Sequence, residues 1–374
     1  KQGKPKKDKD KDDTEFEEVK KRIEELHKKQ IKFKKEIGSG SFGKVYEIQI
    51  KNSAKAYAGK IIKIKHPEKG SDEIKLAMQL KGTNIIKITK TIEETFNNKK
   101  YVLLIMEKAA LKDLGKLTDF YFRHNLLKTI FTAFFQPVGN NLARFYCLQI
   151  VKALEILNRN LFVHFDIKPE NILVTVNLIL KLSDFSLLRD LKSYEEKGIF
   201  SPGGTTGYFT PEYFLKDSLS QDVSKSQDYF ALGCTIFYLK YGKLMIKMKK
   251  FDEKEMRCDR TIDIINDTIP LIKSKVMDSN DFKYFLIGLI NVRPEERLTF
   301  EQIYRNKWLN SNEDITKHIF YAFENDEEKI ILEFLKSDHL CEKEEYLAKN
   351  QNIYSGDKFQ VDGKKRKYYR KKYS

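Results

Sequence analysis

The sequence predicts an α+β protein of two lobes, a small strand-rich lobe followed by a larger, mainly helical one. Three observations lead there. Apolar residues alternate with period two through residues 33–64 and again at Tyr101–Met106. From about residue 142 they recur at helical spacings of three and four. The 374 residues, 41% apolar and 12% aromatic, suffice for a large packed domain with tails.

Residues 1–13 mix Lys and Asp with almost no apolar content and are expected to be an unstructured leader. Phe16, Val19, Ile23 and Leu26 then form one stripe of an amphipathic helix within Phe16–Ile31. Strands are expected at Phe33–Gly38, Val45–Ile50 and Tyr57–Ile64, the first two separated by a glycine cluster. Ser71 or Asp72 caps a short helix through Leu80, and Tyr101–Met106 reads as a buried strand. Leu142–Leu157, Asp228–Leu239 and Asp281–Ile290 are the clearest helices, with short strands around Ile172–Leu182. Beyond Leu309, apolar residues within Ile315–Ala348 fit one or two amphipathic helices packing on the large lobe. The organisation expected is a charged leader (1–32), a main domain (33–309, lobes 33–108 and 109–309) and a helical extension with a basic tail (310–374).

Composition narrows the function. The longest apolar run, Val102–Met106, is far short of the ~20 residues that span a bilayer. The amino-terminal KQGKPKKDKDKDD has no apolar core of a secretory signal. Four dispersed cysteines without a CxxC pair fit a reducing compartment, so an intracellular protein, cytoplasmic or nuclear, is expected. Lys and Arg outnumber Asp and Glu by 70 to 54, and residues 358–374 hold eight basic residues against Asp362 alone. That tail is either solvated or binds an anionic partner, such as an acidic protein or an import receptor. The remaining surplus is mild, so nucleic acid is not expected as the main ligand.

Gly38-Ser39-Gly40-Ser41-Phe42-Gly43-Lys44-Val45 places three glycines at GxGxxG spacing within a strand–turn–strand. Glycine lets backbone N–H groups approach phosphate oxygens, and the following strand argues against a dinucleotide-binding fingerprint. On the next strand, Ala58-Gly59-Lys60 sets a lysine in apolar surroundings, where an ammonium needs an anionic partner. The decisive segment is His164-Phe165-Asp166-Ile167-Lys168-Pro169-Glu170-Asn171, with Asp184-Phe185-Ser186 thirteen residues on. One loop carries Asp, Lys and Asn, and a second Asp follows a strand pair. Such a set can orient a hydroxyl, steady a phosphoryl group and hold a hard cation through oxygen.

With these motifs in place, the sequence resembles a eukaryotic protein kinase of the serine/threonine type, from about Phe33 to Leu309. The resemblance implies the two-lobed kinase fold, ATP and Mg²⁺ as cofactors, and protein substrates. It implies that Gly38, Ser39, Gly40, Ser41, Phe42, Gly43 and Val45 cover the ATP phosphates, with Ala58 and Leu173 lining the nucleotide site. Lys60 would contact the phosphates, paired with Glu73, which precedes the Gly82-Thr83-Asn84-Ile85-Ile86 segment. Met106 would be the gatekeeper, Glu107 and Ala109 the hinge, and Asp113 the ribose contact. Asp166 would be the catalytic carboxylate, Lys168 the γ-phosphate contact, and Asn171 and Asp184 the metal ligands. Thr205 and Glu212 belong to a GTxxYxAPE-like segment (Gly204–Glu212), Asp228 to the helix that organises the catalytic loop, and Arg297 would pair with Glu212. Against the family pattern, Leu114–Asn141 looks long and reads as an insertion.

Two departures stand out. Phe165 replaces the arginine of His-Arg-Asp, which removes a charge that would read a phosphorylated activation segment. Activity is therefore expected to depend little on such phosphorylation. Ser186 replaces the glycine of Asp-Phe-Gly. They are the evidence for the alternative function, a pseudokinase scaffold that binds partners without efficient phosphoryl transfer.

Overall fold

The computed structural model describes residues 6–40, 43–64, 74–109, 111–120, 140–175, 178–192, 204–214, 221–247, 254–275 and 278–310. Expectations for Glu73, Ser41, Phe42, most of Leu114–Asn141 and everything beyond residue 310 lie outside them. Among the described residues no helix is long and apolar enough to cross a membrane.

The small lobe is a five-stranded antiparallel sheet: β1 (Ile31–Gly40), β2 (Gly43–Ile50), β3 (Ala56–Ile64), β4 (Ile88–Phe96) and β5 (Lys99–Glu107), in spatial order β1-β2-β3-β5-β4. Period-two patterning gives β3 and β5 two different faces. Tyr57, Ile61, Tyr101, Leu103 and Ile105 turn to one side, while Ala58, Lys60, Leu104 and Met106 alternate to the other. Gly43 ends the β1–β2 hairpin hard against β3, where an added Cβ would lie 1.9 Å from the Ile61 carbonyl oxygen. Backbone proximity alone therefore requires glycine there, quite apart from any phosphate.

The leader departs from expectation. Helix α1 spans Lys6–Leu26 and so includes much of the segment read as unstructured. Its polar first half has no apolar stripe to announce it, but the sheet supplies cations. Asp13 pairs with Lys44 at 3.2 Å, and Glu15 with Lys63 at 2.7 Å and Lys99 at 2.6 Å. Val19 and Ile23, both fully buried, join Ile48, Ile61, Tyr101 and Leu103 in one apolar cluster on the outer sheet face. Phe16 meets Tyr101 edge-on at 6.0 Å, and Glu17 accepts the Tyr46 hydroxyl at 2.7 Å. Leu26, expected on the same stripe, is the last residue of α1 and is 60% exposed.

The large lobe is built on α2 (Asn140–Arg159), α3 (Gln221–Tyr241), α4 (Lys254–Lys273), α5 (Asn280–Leu289) and α6 (Phe300–Tyr304). Short strands β6 (Phe162–Val163), β7 (Ile172–Val174), β8 (Leu180–Leu182) and β9 (Arg189–Asp190) carry the loops between α2 and α3. The lobes are stitched at Asn84, whose amide donates to Gln149 and to the Leu180 carbonyl, while Leu182 N–H and Ile86 N–H close backbone bonds beside it. In the large-lobe core, Lys240 and Asp278 form a fully buried ion pair at 3.1 Å. The Tyr241 hydroxyl donates to the second Asp278 oxygen at 2.8 Å, and the Lys240 ammonium lies 5.3 Å from the centre of the Phe282 ring.

Candidate active site

Helix α3 places the catalytic loop. The buried Asp228 carboxylate accepts the backbone N–H of His164 at 2.8 Å and of Phe165 at 2.9 Å. These bonds hold Phe165 in the left-handed region, φ 63°, a conformation that costs a non-glycine residue about 1 kcal/mol. Burial pushes the Asp228 carboxyl up to about 7, against the opposing pull of those two N–H groups. Burial likewise pushes the His164 imidazole down, against the attraction of Asp166, so the ring is neutral. A ring nitrogen of His164 lies 3.0 Å from the Ser183 carbonyl, and Phe185 packs against its face edge-on.

From this base the loop projects a closed polar network. Asp166 Oδ1 accepts the Thr205 hydroxyl at 2.6 Å. Its Oδ2 accepts Lys168 Nζ at 2.7 Å and Asn171 Nδ2 at 2.8 Å. Lys168 Nζ also reaches Thr205 Oγ1, which ties the activation segment to the loop. Pro169–Asn171 forms a single 3₁₀ turn that brings Asn171 back over Asp166, and Asn171 Nδ2 donates to the Asp166 carbonyl as well. Ser183 N–H and Oγ both donate to the Asn171 carbonyl, joining the catalytic loop to the segment that leads into Asp184.

Asp184 sits across the cleft with φ 61°, and its Oδ1 accepts Lys60 Nζ at 2.7 Å and Ser186 Oγ at 2.8 Å. Burial would raise this carboxyl, but the Lys60 ammonium and the Ser186 hydroxyl outweigh it and hold it below the ordinary carboxylate range. Among the described residues Lys60 pairs with Asp184; Glu73 lies outside them. Around the nucleotide end, Ala58 pairs with Met106 across β3 and β5, and Gly38 with Val45 across β1 and β2. Of the two residues expected at the hinge, Glu107 has its N–H committed to the Lys87 carbonyl and its carboxylate to Lys181. Asp113 is almost buried and bridges Leu173 through its backbone. Its carboxylate accepts the Lys116 N–H at 2.8 Å and pairs with the Lys116 ammonium, so it caps a helical turn at the position expected to meet ribose.

The activation-segment end is anchored by Arg297, whose guanidinium grips Glu212 through two bonds of 2.6 and 2.7 Å. Its remaining donors reach Ser226 Oγ and the Asn291 and Val292 carbonyls, and Phe230 packs under it. Gly204, at φ 139°, lets the segment pass Phe165, since a Cβ there would come within 2.7 Å of the Phe165 carbonyl.

A glycine hairpin over a strand lysine, a loop Asp braced by Lys, Asn and Thr, and a second Asp across the cleft form one constellation. A family model described as protein kinase domain matches residues 31–309. The chain belongs to the protein kinase family. Among its relatives, Developmentally-regulated protein kinase 1 of Dictyostelium discoideum is 29% identical over 283 residues, 73% of this chain and 35% of that protein. Probable serine/threonine-protein kinase MARK-A of the same organism is 28% identical over 301 residues, 75% of this chain and 24% of the relative. Serine/threonine-protein kinase AtPK2/AtPK19 of Arabidopsis thaliana is 26% identical over 290 residues, 74% and 54% respectively. The aligned part thus spans from a quarter to about half of these relatives' lengths.

Relative to the kinase pattern, the surroundings of Phe165 were not legible in the sequence. It joins Val163 and Leu191 in an apolar cluster, with Leu161 and Leu187 packed against it. Where an arginine would need a phosphate, this kinase has a hydrophobic contact between catalytic loop and activation segment. The signal was present in the sequence as Leu187 and Leu191, but their meeting with Phe165 depends on the β6–β9 pairing.

Proposed function

We propose that this kinase is catalytically competent and transfers the γ-phosphoryl group of Mg·ATP to Ser or Thr hydroxyls of protein substrates. The observation that carries this reading is the doubly braced Asp166 carboxylate, with Lys168 and Thr205 on its flanks. Asp166 accepts or orients the substrate hydroxyl proton, and its bracing fixes the carboxylate before substrate arrives. Lys168 supplies positive charge beside the path of the transferring group, and Lys60, steered by Asp184, supplies it at the other phosphates. A divalent cation fits the oxygen donors at hand. Asn171 Oδ1 and Asp184 Oδ2 have no protein donor among the described residues, and Mg²⁺ characteristically takes one or two protein oxygens and completes its shell with phosphate and water. When bound, the metal and nucleotide supply the phosphoryl group and neutralise the charge that develops on it.

The scaffold reading rested on Phe165 and Ser186. Phe165 is absorbed into an apolar cluster and Ser186 engages Asp184, so neither removes a group that touches nucleotide or metal. With Asp113 paired to Lys116, Glu170, an exposed carboxylate two residues past Lys168, supports a modest preference for basic substrates. The test is transfer of γ-phosphate from ATP to a generic basic protein with and without Mg²⁺, comparing wild type with Asp184→Asn. Mg²⁺-dependent transfer by the wild type that vanishes in Asp184→Asn is the expected result. Equal transfer by both proteins overturns the assignment of Asp184.

A further inference from the structure

We infer that Ser186 is a positioning residue for Asp184, setting the rotation of its carboxylate so that one chosen oxygen faces the metal; this rests on the kinase reading above. Three features converge on the point. Ser186 Oγ donates to Asp184 Oδ1 at 2.8 Å, the same oxygen that accepts Lys60 Nζ at 2.7 Å. Two donors on Oδ1 leave Oδ2 without a protein donor among the described residues. Asp184 also occupies the left-handed region at φ 61°, a position that an L-residue keeps only when its surroundings hold it there.

Residues 185–187 form a 3₁₀ turn closed by Leu188 N–H on the Phe185 carbonyl at 3.1 Å, which folds Ser186 back towards Asp184. A glycine at 186 could neither donate this bond nor resist the alternative backbone states that glycine visits. Serine does both. It adds a charge-assisted hydrogen bond, and its Cβ narrows the conformations of the turn. Lys60 holds the carboxylate from β3 in the opposite lobe, whereas Ser186 is two residues away on the same chain segment. The carboxylate therefore stays oriented from within its own loop. The ordering that metal–nucleotide binding would otherwise impose on Asp184 is already in place.

The experiment measures nucleotide affinity by calorimetry, with Mg²⁺ and with EDTA, for wild type, Ser186→Ala and Ser186→Thr in the full chain. The Mg²⁺-dependent gain in affinity is expected to fall about tenfold in Ser186→Ala, of the order that one charge-assisted hydrogen bond can carry. Affinity in EDTA should be unchanged, and Ser186→Thr, which keeps the hydroxyl, should stay within about twofold of wild type. The inference is overturned if Ser186→Ala matches wild type, if Ala and Thr lose affinity equally, or if the loss also occurs in EDTA. Wild type that gains nothing from Mg²⁺ overturns the kinase reading itself, a result separable from all three.

Discussion

The catalytic loop and the outer face of the small-lobe sheet are both organised around carboxylates, yet they work in opposite ways. In the loop Asp166 is held by Lys168 and Asn171 close by in sequence and by Thr205 of the following segment, while the loop backbone donates to Asp228 on one adjoining helix. On the sheet, Glu15, Glu17 and Asp13 reach cations and a phenol on β2, β3 and β5, while Val19 and Ile23 fill the gap beneath. The first arrangement aims a charge; the second clamps a cover. A charge to be aimed must be braced in one orientation, and so needs particular residue types at fixed spacing. A cover needs only apolar area and enough opposite charge at its rim.

If that contrast is right, damage to the cover should lower stability while leaving the chemistry alone. Ile23→Ala removes a fully buried side chain and should cost about 3 kcal/mol in chemical denaturation. At temperatures where the variant is folded, its KM for Mg·ATP and its kcat should match wild type. A fall in kcat in the fully folded variant would break the comparison, because it would make α1 part of the catalytic machinery.

A smaller effect comes from the rim. Glu15 is pulled down to about 2: burial would raise it, but hydrogen bonds from Lys63, Lys99 and Tyr101 prevail. Its folded pKa lies below the unfolded value of 4.5, so its contribution is fully present above about 4.5 and is lost as pH falls towards 2. The stability gap between wild type and Glu15→Gln should therefore shrink on acidification through that window. A gap that stays constant from pH 6 down to about 2 would show that the carboxylate charge contributes nothing to docking. The smallest effect expected is on the activation segment. With Phe165 in an apolar cluster, phosphorylating Thr206 or Ser201 should change kcat little. Phosphate-free enzyme that is inert and is switched on by the modification would contradict this.

The same contrast explains how much could be read in advance. His164–Asn171 and Asp184 stood out because the chemistry expected of them fixes residue type and order, Gly204–Glu212 because it resembles the family pattern, and the alternating strands β1, β2, β3 and β5 because burial on one face forces period two. Strand β4, ITKTIEETF, passed unnoticed because it is a sheet edge on which Ile92 alone is buried, so its alternation is weak. The start of α1 was hidden because Lys6–Asp13 carries no apolar stripe of its own, and the contact Asp13 makes with Lys44 is visible only once the sheet is formed. Lys240 and Asp278 look like surface charges in the sequence, and only the packing of α3 against α5 makes them a buried pair. Arg297 and Glu212, equally buried, were foreseen because the family pattern names both. Where a hydrophobic contact replaces an ionic one, as at Phe165, the substitution was visible but its new partners were not.

The most direct test of a working phosphoryl-transfer site is single-turnover transfer from saturating Mg·ATP to a Ser/Thr peptide, wild type against Asp166→Asn. The account predicts a rate lower by roughly 10²–10⁴ in the variant, with Mg·ATP affinity and thermal stability unchanged. Equal rates in the two proteins, or wild type that binds Mg·ATP tightly and transfers nothing to any Ser or Thr peptide, would contradict it.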